Sequence, residues 1–301
     1  MQHRESQPTP LSFGDRTTVA ILRRAVMPLF GVIYGISPPV GRVTERRYGE
    51  LPEENMDVVE PPPGLPKRLS VVFLHGGGWI AGSKGAFYHL PLLGLADAGH
   101  RVFSLNYPLA PEHPHPHALQ SLVRALALLY REENLREIHL VGDSAGGNLA
   151  VMLGLALSNA ELLRTIMNDA PEGLPTVRSA VSLYGVLDRI SWIEDGFPIA
   201  RLFLRAYAGE PAIDPAQSPS IPITPMDVSN VEVIPPMFLG VGTKDQLKRS
   251  SRIYAEHLRS RGARVVHKEY EGADHAFYSY KGPVSDELRR DVIEFLASME
   301  A

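Results

Sequence analysis

The stretch Gly142-Asp143-Ser144-Ala145-Gly146 constrains this 301-residue chain more than any other. It fits G-x-S-x-G, a sharp turn that exposes a serine between a strand and a helix. The flanks have the required character. Glu137-Ile138-His139-Leu140-Val141 before it reads as a short apolar strand, and Gly146 to Leu157 after it is rich in helix formers. Gly142 and Gly146 frame the serine because a side chain at either position would crowd the neighbouring strand or helix. Five residues of this kind also recur without function, so their meaning rests on what else the chain carries.

A second segment, His75-Gly76-Gly77-Gly78-Trp79, follows the apolar run Leu69 to Leu74, which reads as a buried strand. Glycines after a strand let backbone N–H groups turn toward a ligand. Acyl transfer builds negative charge on a carbonyl oxygen, and preorganised N–H donors stabilise it, each worth about 3 kcal/mol of barrier. Gly77 and Gly78 are the candidate donors here, and Ala145, the residue after the serine, is the third. A phosphate loop would need a Lys-Ser/Thr ending or G-x-G-x-x-G opening a helix, and neither is present.

A serine hydroxyl is a poor nucleophile until an imidazole takes its proton and an acid orients that imidazole. Pro236 to Gly242 reads as a strand with Asp245 just past its end. Arg264 to Tyr270 reads as another, followed by a loop that carries His275. The order serine, aspartate, histidine is that of an α/β-hydrolase. Asp188, at the end of the strand near Leu187, is the rival acid. Asp274 adjoins His275 and Asp143 adjoins Ser144, and both are expected to point elsewhere. His267, alternating within a strand, reads as a packing or surface residue.

With these segments together, the chain resembles the hormone-sensitive lipase family of esterases, which is marked by H-G-G-G (His75 to Gly78) and G-D-S-A-G-G (Gly142 to Gly147). Asn106-Tyr107-Pro108-Leu109-Ala110-Pro111-Glu112-His113-Pro114 is similar to the family's Y-R-L-A-P-E-H-P segment. The similarity runs from about residue 70 to the C-terminus. It implies a triad of Ser144, Asp245 and His275, an oxyanion hole of Gly77, Gly78 and Ala145, short- to medium-chain ester substrates and no cofactor. Pro108 stands where the family has arginine, so a salt bridge from that arginine is lost. Asp245-Gln246-Leu247 replaces D-P-L, which predicts a less rigid acid loop.

Strand and helix patterns alternate along the chain. Examples are Arg101 to Asn106 as a strand and Ala118 to Glu133 as a long amphipathic helix with Leu119, Leu122, Val123, Leu126 and Leu129 at helical spacing. This alternation predicts an α/β fold with a mostly parallel central sheet covered on both faces. Residues 1–45 are assigned as an N-terminal cap segment, 46–187 as the first part of the catalytic core, 188–230 as a cap insertion and 231–301 as the second part of the core. Within the first segment, Thr17 to Gly35 reads as a mostly apolar helix interrupted by Arg23-Arg24 and Pro28. Its apolar side is expected to pack on the protein, which leaves membrane contact as the lesser alternative. The insertion is expected to carry a helix over Pro198 to Tyr207 and a proline-rich loop from Pro211 to Pro225. Its apolar residues Trp192, Phe197, Ile199, Leu202, Phe203 and Leu204 are divided between cavity and core.

Several function classes are disfavoured. A net charge of −4 without a basic block argues against nucleic acid. The absence of cysteine removes disulfides, thiolate metal sites and cysteine nucleophiles. No uninterrupted apolar run reaches the ~20 residues that span a membrane, and the polar lead before Thr17 does not suit a secretory signal, so the expectation is a cytoplasmic enzyme. His113, His115 and His117 alternate with prolines and raise a zinc site, against the plainer reading of a proline-stiffened loop, and no metal is assigned. The expected partner is a small-molecule ester. The Arg264–Tyr270 strand is a candidate sheet edge for a homodimer. Amide hydrolysis or deacetylation on the same triad is the alternative activity. A non-catalytic receptor is the remote one, since all three triad residues are present.

Overall fold

The computed structural model describes residues 11–195, 197 and 199–300. The first ten residues of the expected N-terminal segment, and Pro198 at the start of the expected insertion helix, lie outside them.

Runs of β-branched and aromatic residues between glycine and proline breaks form eight strands: β1 (Val43–Arg47), β2 (Asn55–Val59), β3 (Ser70–Leu74), β4 (Val102–Leu105), β5 (Glu137–Asp143), β6 (Thr176–Leu183), β7 (Met237–Gly242) and β8 (Val265–Tyr270). They make one sheet in the order β1-β2-β4-β3-β5-β6-β7-β8. β2 alone runs against the rest, pairing antiparallel with β1 and β4. The pairs from β4 to β8 are parallel. β3 and β5 are buried on both sides, so they read as continuous apolar runs rather than alternating ones.

Successive strand residues face opposite cores. Val72, Leu74, Leu140 and Leu239 belong to one cluster, which α4 (His117–Glu132), α5 (Ala145–Ser158) and α9 (Lys248–Ser260) help to fill. Val71, Phe73, Val141 and Phe238 belong to the other, covered by α3 (His89–Asp97) and α10 (Pro283–Ser298). This is the expected α/β architecture. Two short helices were not legible in the sequence. One is α6 (Ala160–Ile166), which starts after Asn159 breaks α5 in an extended conformation. The other is α7 (Arg189–Glu194). Neither has room for a second cycle of helical periodicity.

The N-terminal helix departs from expectation. It is not interrupted: α1 (Phe13–Ile21) and α2 (Met27–Tyr34) are joined through a π-helical turn at Leu22–Val26, where the Met27 N–H reaches the Leu22 carbonyl. Pro28 then enters at the first turn of α2, where its missing N–H is tolerated. The continuous helix, Phe13–Tyr34, is 22 residues long and apolar enough by length and composition to cross a membrane. The expectation concerned uninterrupted apolar runs, and Arg23, Arg24 and Pro28 do break the apolar run within this helix. Its apolar surface does not simply pack inward, since Val19 is its one buried residue.

In the 188–230 segment, α8 (Ala200–Ala208) follows α7, and the chain then loops through short 3₁₀ turns at Glu210–Ile213 and Pro225–Asp227. One buried side chain organises this loop. Arg189 donates to Asp227 Oδ1 (3.0 Å) and to the carbonyls of Ala212 (3.0 Å), Asp214 (3.1 Å) and Gln217 (2.6 Å). Breaking a buried pair while leaving its partners unsatisfied typically costs about 3–5 kcal/mol. Arg189→Ala should therefore lower the urea midpoint markedly. An unchanged midpoint would show that the loop holds itself.

Candidate active site

Ser144 occupies the turn between β5 and α5 at φ +50° and ψ −119°. A non-glycine residue rarely adopts such a conformation, and it typically stores about 1–3 kcal/mol of strain. The surroundings enforce it. The Ser144 N–H donates to the Leu183 carbonyl at 2.8 Å. A Cβ on Gly146 would come within 2.0 Å of the Leu74 carbonyl oxygen, and one on Gly142 within 2.2 Å of the Gly146 oxygen. Both glycines are thus required by close backbone approach.

His275 and Asp245 meet this serine from two other loops. His275 Nε2 lies 3.0 Å from Ser144 Oγ, and its Nδ1 lies 2.8 Å from Asp245 Oδ2. With the ring neutral, Nδ1–H donates to the carboxylate and Nε2 accepts from the serine hydroxyl. The Asp245 side chain is almost fully buried, and its other oxygen accepts the Leu247 N–H at 2.8 Å. The D-Q-L loop is therefore tied down through its own backbone despite lacking proline. Burial of the His275 ring opposes its charging, and Asp245 favours it by charge and hydrogen bond. With Asp143 and Asp274 adding, the pKa is held above its ordinary 6.5.

The other aspartates have separate tasks. Asp188 caps α7 through Ile190 N–H (3.3 Å) and Ser191 N–H (3.1 Å). Asp274 accepts the backbone N–H of His275 at 2.7 Å rather than its ring. Asp143 accepts the Gly76 N–H at 2.7 Å. Burial pushes its carboxyl up to about 6, against the lowering effects of Tyr88 and His275. His267 is half-buried in β8, paired across from Leu239.

The glycine loop lies against the serine. A Cβ on Gly76 would touch Ser144 Cβ at 3.1 Å. Gly77 (φ +119°) and Gly78 (φ +61°) turn in left-handed conformations, and among the described residues their N–H groups have no acceptor. Ala145 opens α5, where its N–H has no intrahelical partner. Gly77 and Gly78 thus line the same cavity as Ser144, and Ala145 follows it in sequence. Four contacts hold the loop. The buried His75 stacks on Tyr107 (4.3 Å between centroids) and donates from Nδ1 to the Gly76 carbonyl at 2.7 Å. Its pKa is lowered by burial to about 4, so it stays neutral. The Tyr107 hydroxyl donates to the His75 carbonyl at 2.8 Å. Trp79 stacks on Tyr207 of α8 at 4.4 Å.

Above the serine lies a cavity of about 740 Å³. Leu22, Val26, Met27 and Phe30 of the N-terminal helix wall one side, and Trp192, Phe197, Ile199 and Phe203 wall another. Leu202 and Leu204, grouped with these in the sequence, are buried in the core instead. Phe203 closes directly on the glycine loop, since a Cβ on Gly78 would meet its ring at 2.7 Å. One residue that sequence reasoning missed fixes the helix here. Arg23 donates to the carbonyls of Ile80 and Ala110 and to both carboxylate oxygens of Glu112 (2.9 and 2.7 Å). The segment in which Pro108 replaces an arginine thus receives a guanidinium from elsewhere in the chain.

The three-histidine idea fails geometrically. His115 is half-buried beside Tyr207, its Nδ1 3.2 Å from the hydroxyl, while the rings of His113 and His117 stand 6.0 Å apart. Among the described residues, no group of three or more His, Cys, Asp or Glu could hold a metal ion.

This fold and site define an α/β-hydrolase. Residues 71–279 match the family model described as the alpha/beta hydrolase fold. The carboxylesterase NlhH of Mycobacterium tuberculosis is 30% identical over 75% of this chain and 72% of its own. The carboxylic ester hydrolase LipN of the same organism is 28% identical over 80% of this chain, which spans 62% of that relative's length. Esterase B of Lactobacillus rhamnosis superposes with a TM-score of 0.81 over 95% of both chains at 18% identity, a likeness of fold. The chain belongs to the α/β-hydrolase family, in its hormone-sensitive lipase-like branch of carboxylic ester hydrolases.

Asp245→Asn should keep the geometry but remove the partner that fixes the His275 tautomer. The rate should fall by about 10⁴. The acid limb of the pH–rate profile, where protonation of His275 abolishes activity, should move to lower pH because its main raising partner is gone. A limb that stayed in place would show that His275 is not the group titrating there.

Proposed function

We propose that this protein hydrolyses short- to medium-chain carboxylic esters through an acyl-enzyme on Ser144. The observation that carries the reading is the relay of 3.0 and 2.8 Å from Ser144 through His275 to Asp245 on the floor of an apolar cavity. His275 takes the serine proton as Oγ attacks the ester carbonyl. Gly77, Gly78 and Ala145 donate to the oxyanion. The alkoxide leaves with the proton from His275, and water, deprotonated by the same ring, releases the acid. Asp245 remains ionised and orients the imidazole.

The chain-length limit rests on the cavity walls. Trp192, Phe197 and Phe203 bound it on one side and the N-terminal helix on the other, so room for the substrate is set by these two elements. Residues 1–45 and 188–230 act in this reading as a cap on a core formed by 46–187 and 231–301. A cytoplasmic location is part of this reading. The β8 edge, which lies at the end of the sheet, is the proposed site for homodimer pairing, and a monomeric mass by light scattering would dismiss it.

The test is hydrolysis of p-nitrophenyl esters from acetate to palmitate by the wild type and by Ser144→Ala. Activity should fall off toward the long chains, and the variant should lose a factor of about 10⁴ or more. Retained turnover in the variant would refute the mechanism, and preference for palmitate would refute the chain limit. Silence toward the esters with cleavage of acetanilide would move the activity to amides.

A further inference from the structure

The helix Phe13–Tyr34 is apolar on two sides. Its inner side, through Leu22, Val26 and Phe30, walls the cavity. Its outer side carries Phe13, Ile21, Leu29, Val32 and Ile33, which are between 55% and 87% exposed. The π turn at Leu22–Val26 explains how Ile21 and Leu29 share that side. Eight residues in a regular helix overshoot two turns, and the wide turn absorbs one extra residue. A helix of an ordinary globular protein turns polar residues outward, and a contiguous exposed apolar patch marks a binding surface.

We propose that this outer face docks the protein on an anionic lipid surface, with the helix lying along the interface. Charge selects this occupant. The one acidic residue of the helix, Asp15, turns toward Arg205 (3.7 Å), whereas Arg16 and Arg24 are exposed. A cavity of about 480 Å³ alongside is lined by Arg16, Arg23, Arg24 and Arg205, with Glu112 its only acidic lining residue. Apolar side chains beside arginines are the combination that binds the boundary of anionic headgroups and acyl chains. The chain as a whole is negative, at −4, so the attraction is local to this face. A second copy meeting it with the same face would bring the exposed Arg16 and Arg24 of both copies together.

Orientation follows from the inner side. Arg23 and the tilted contact of Tyr34 with Tyr280 (4.3 Å between ring centroids) fasten the helix along the body of the protein, so it lies flat instead of crossing the bilayer. The element that touches lipid is then also a wall of the cavity, which keeps the site beside the phase where apolar esters collect. The docking itself is independent of the ester-hydrolase reading, because vesicle binding is measured without turnover.

The experiment is co-sedimentation of the full chain with vesicles of phosphatidylcholine, with and without phosphatidylglycerol. Two arginines near an anionic surface predict at least about tenfold tighter binding to the phosphatidylglycerol vesicles, weakened by salt. The triple variant Ile21→Glu, Leu29→Glu, Val32→Glu should stay in the supernatant while cleaving p-nitrophenyl acetate at the wild-type rate, since none of the three lines the cavity. A second variant, Arg16→Gln with Arg24→Gln, should lose the preference for phosphatidylglycerol and keep the apolar face. Failure of the wild type to sediment with either vesicle overturns the proposal, as does undiminished binding of the triple variant. A dimer dispersed by the same three substitutions, without vesicle binding, assigns the face to a second copy. Resistance to alkaline carbonate extraction assigns the helix to a membrane span.

Discussion

Everything in this site depends on one steric fact: the carboxyl ends of β3 and β5 approach α5 so closely that no side chain fits between them. Gly146 packs against the Leu74 carbonyl and Gly142 against Gly146. Between these two bare contacts the chain must reverse, and Ser144 is the residue left in the strained conformation. The strain is sustained because the flanking elements are among the most buried of the molecule. A serine held in this way has little freedom to turn from the imidazole, so the entropy of aligning the two is lost on folding rather than in each catalytic cycle.

From that turn, order propagates outward through unlike contacts. Asp143 anchors the first glycine of the neighbouring loop by its backbone N–H, and His75, packed on Tyr107, braces the loop from below. Trp79 then carries the connection to α8 by stacking on Tyr207. The donors and the cavity wall are thus parts of one packed assembly. A shift of α8 would be felt at the glycine loop through Trp79 and through Phe203, whose ring fills the space beside Gly78.

The candidate site was legible because its motifs encode backbone geometry. Glycines at 142, 146, 77 and 78 announce turns, and the serine, aspartate and histidine each follow a strand. The sheet was legible through the strands' apolar runs, and the cover of both faces through helical periodicity. What could not be read was set by tertiary contact. Arg23 and Arg189 look like surface residues in a one-dimensional pattern, yet each converges on backbone carbonyls far along the chain. Asp143 gives no sign in the sequence that its partner is Gly76. The π turn escaped because the pattern Arg23-Arg24 and Pro28 signals a break, whereas a wider turn accommodates the proline and lets the helix continue.

That turn also ties together the two roles of the N-terminal helix. A wall for an apolar cavity needs apolar residues on one side only, and the other side could have been charged without disturbing the site. Instead Ile21, Leu29, Val32 and Ile33 remain in water, each forgoing about 1.5–3 kcal/mol that burial could provide. A regular helix of the same sequence would rotate the residues after Val26 by about one position, separating Leu29 from Ile21 and turning Phe30 relative to Leu22. The extra residue in the turn therefore aligns the inner set over the serine and the outer set toward solvent at once. Helix geometry alone needs neither alignment. The inner one is explained by the cavity, and the outer one is explained by a surface on which those side chains become buried.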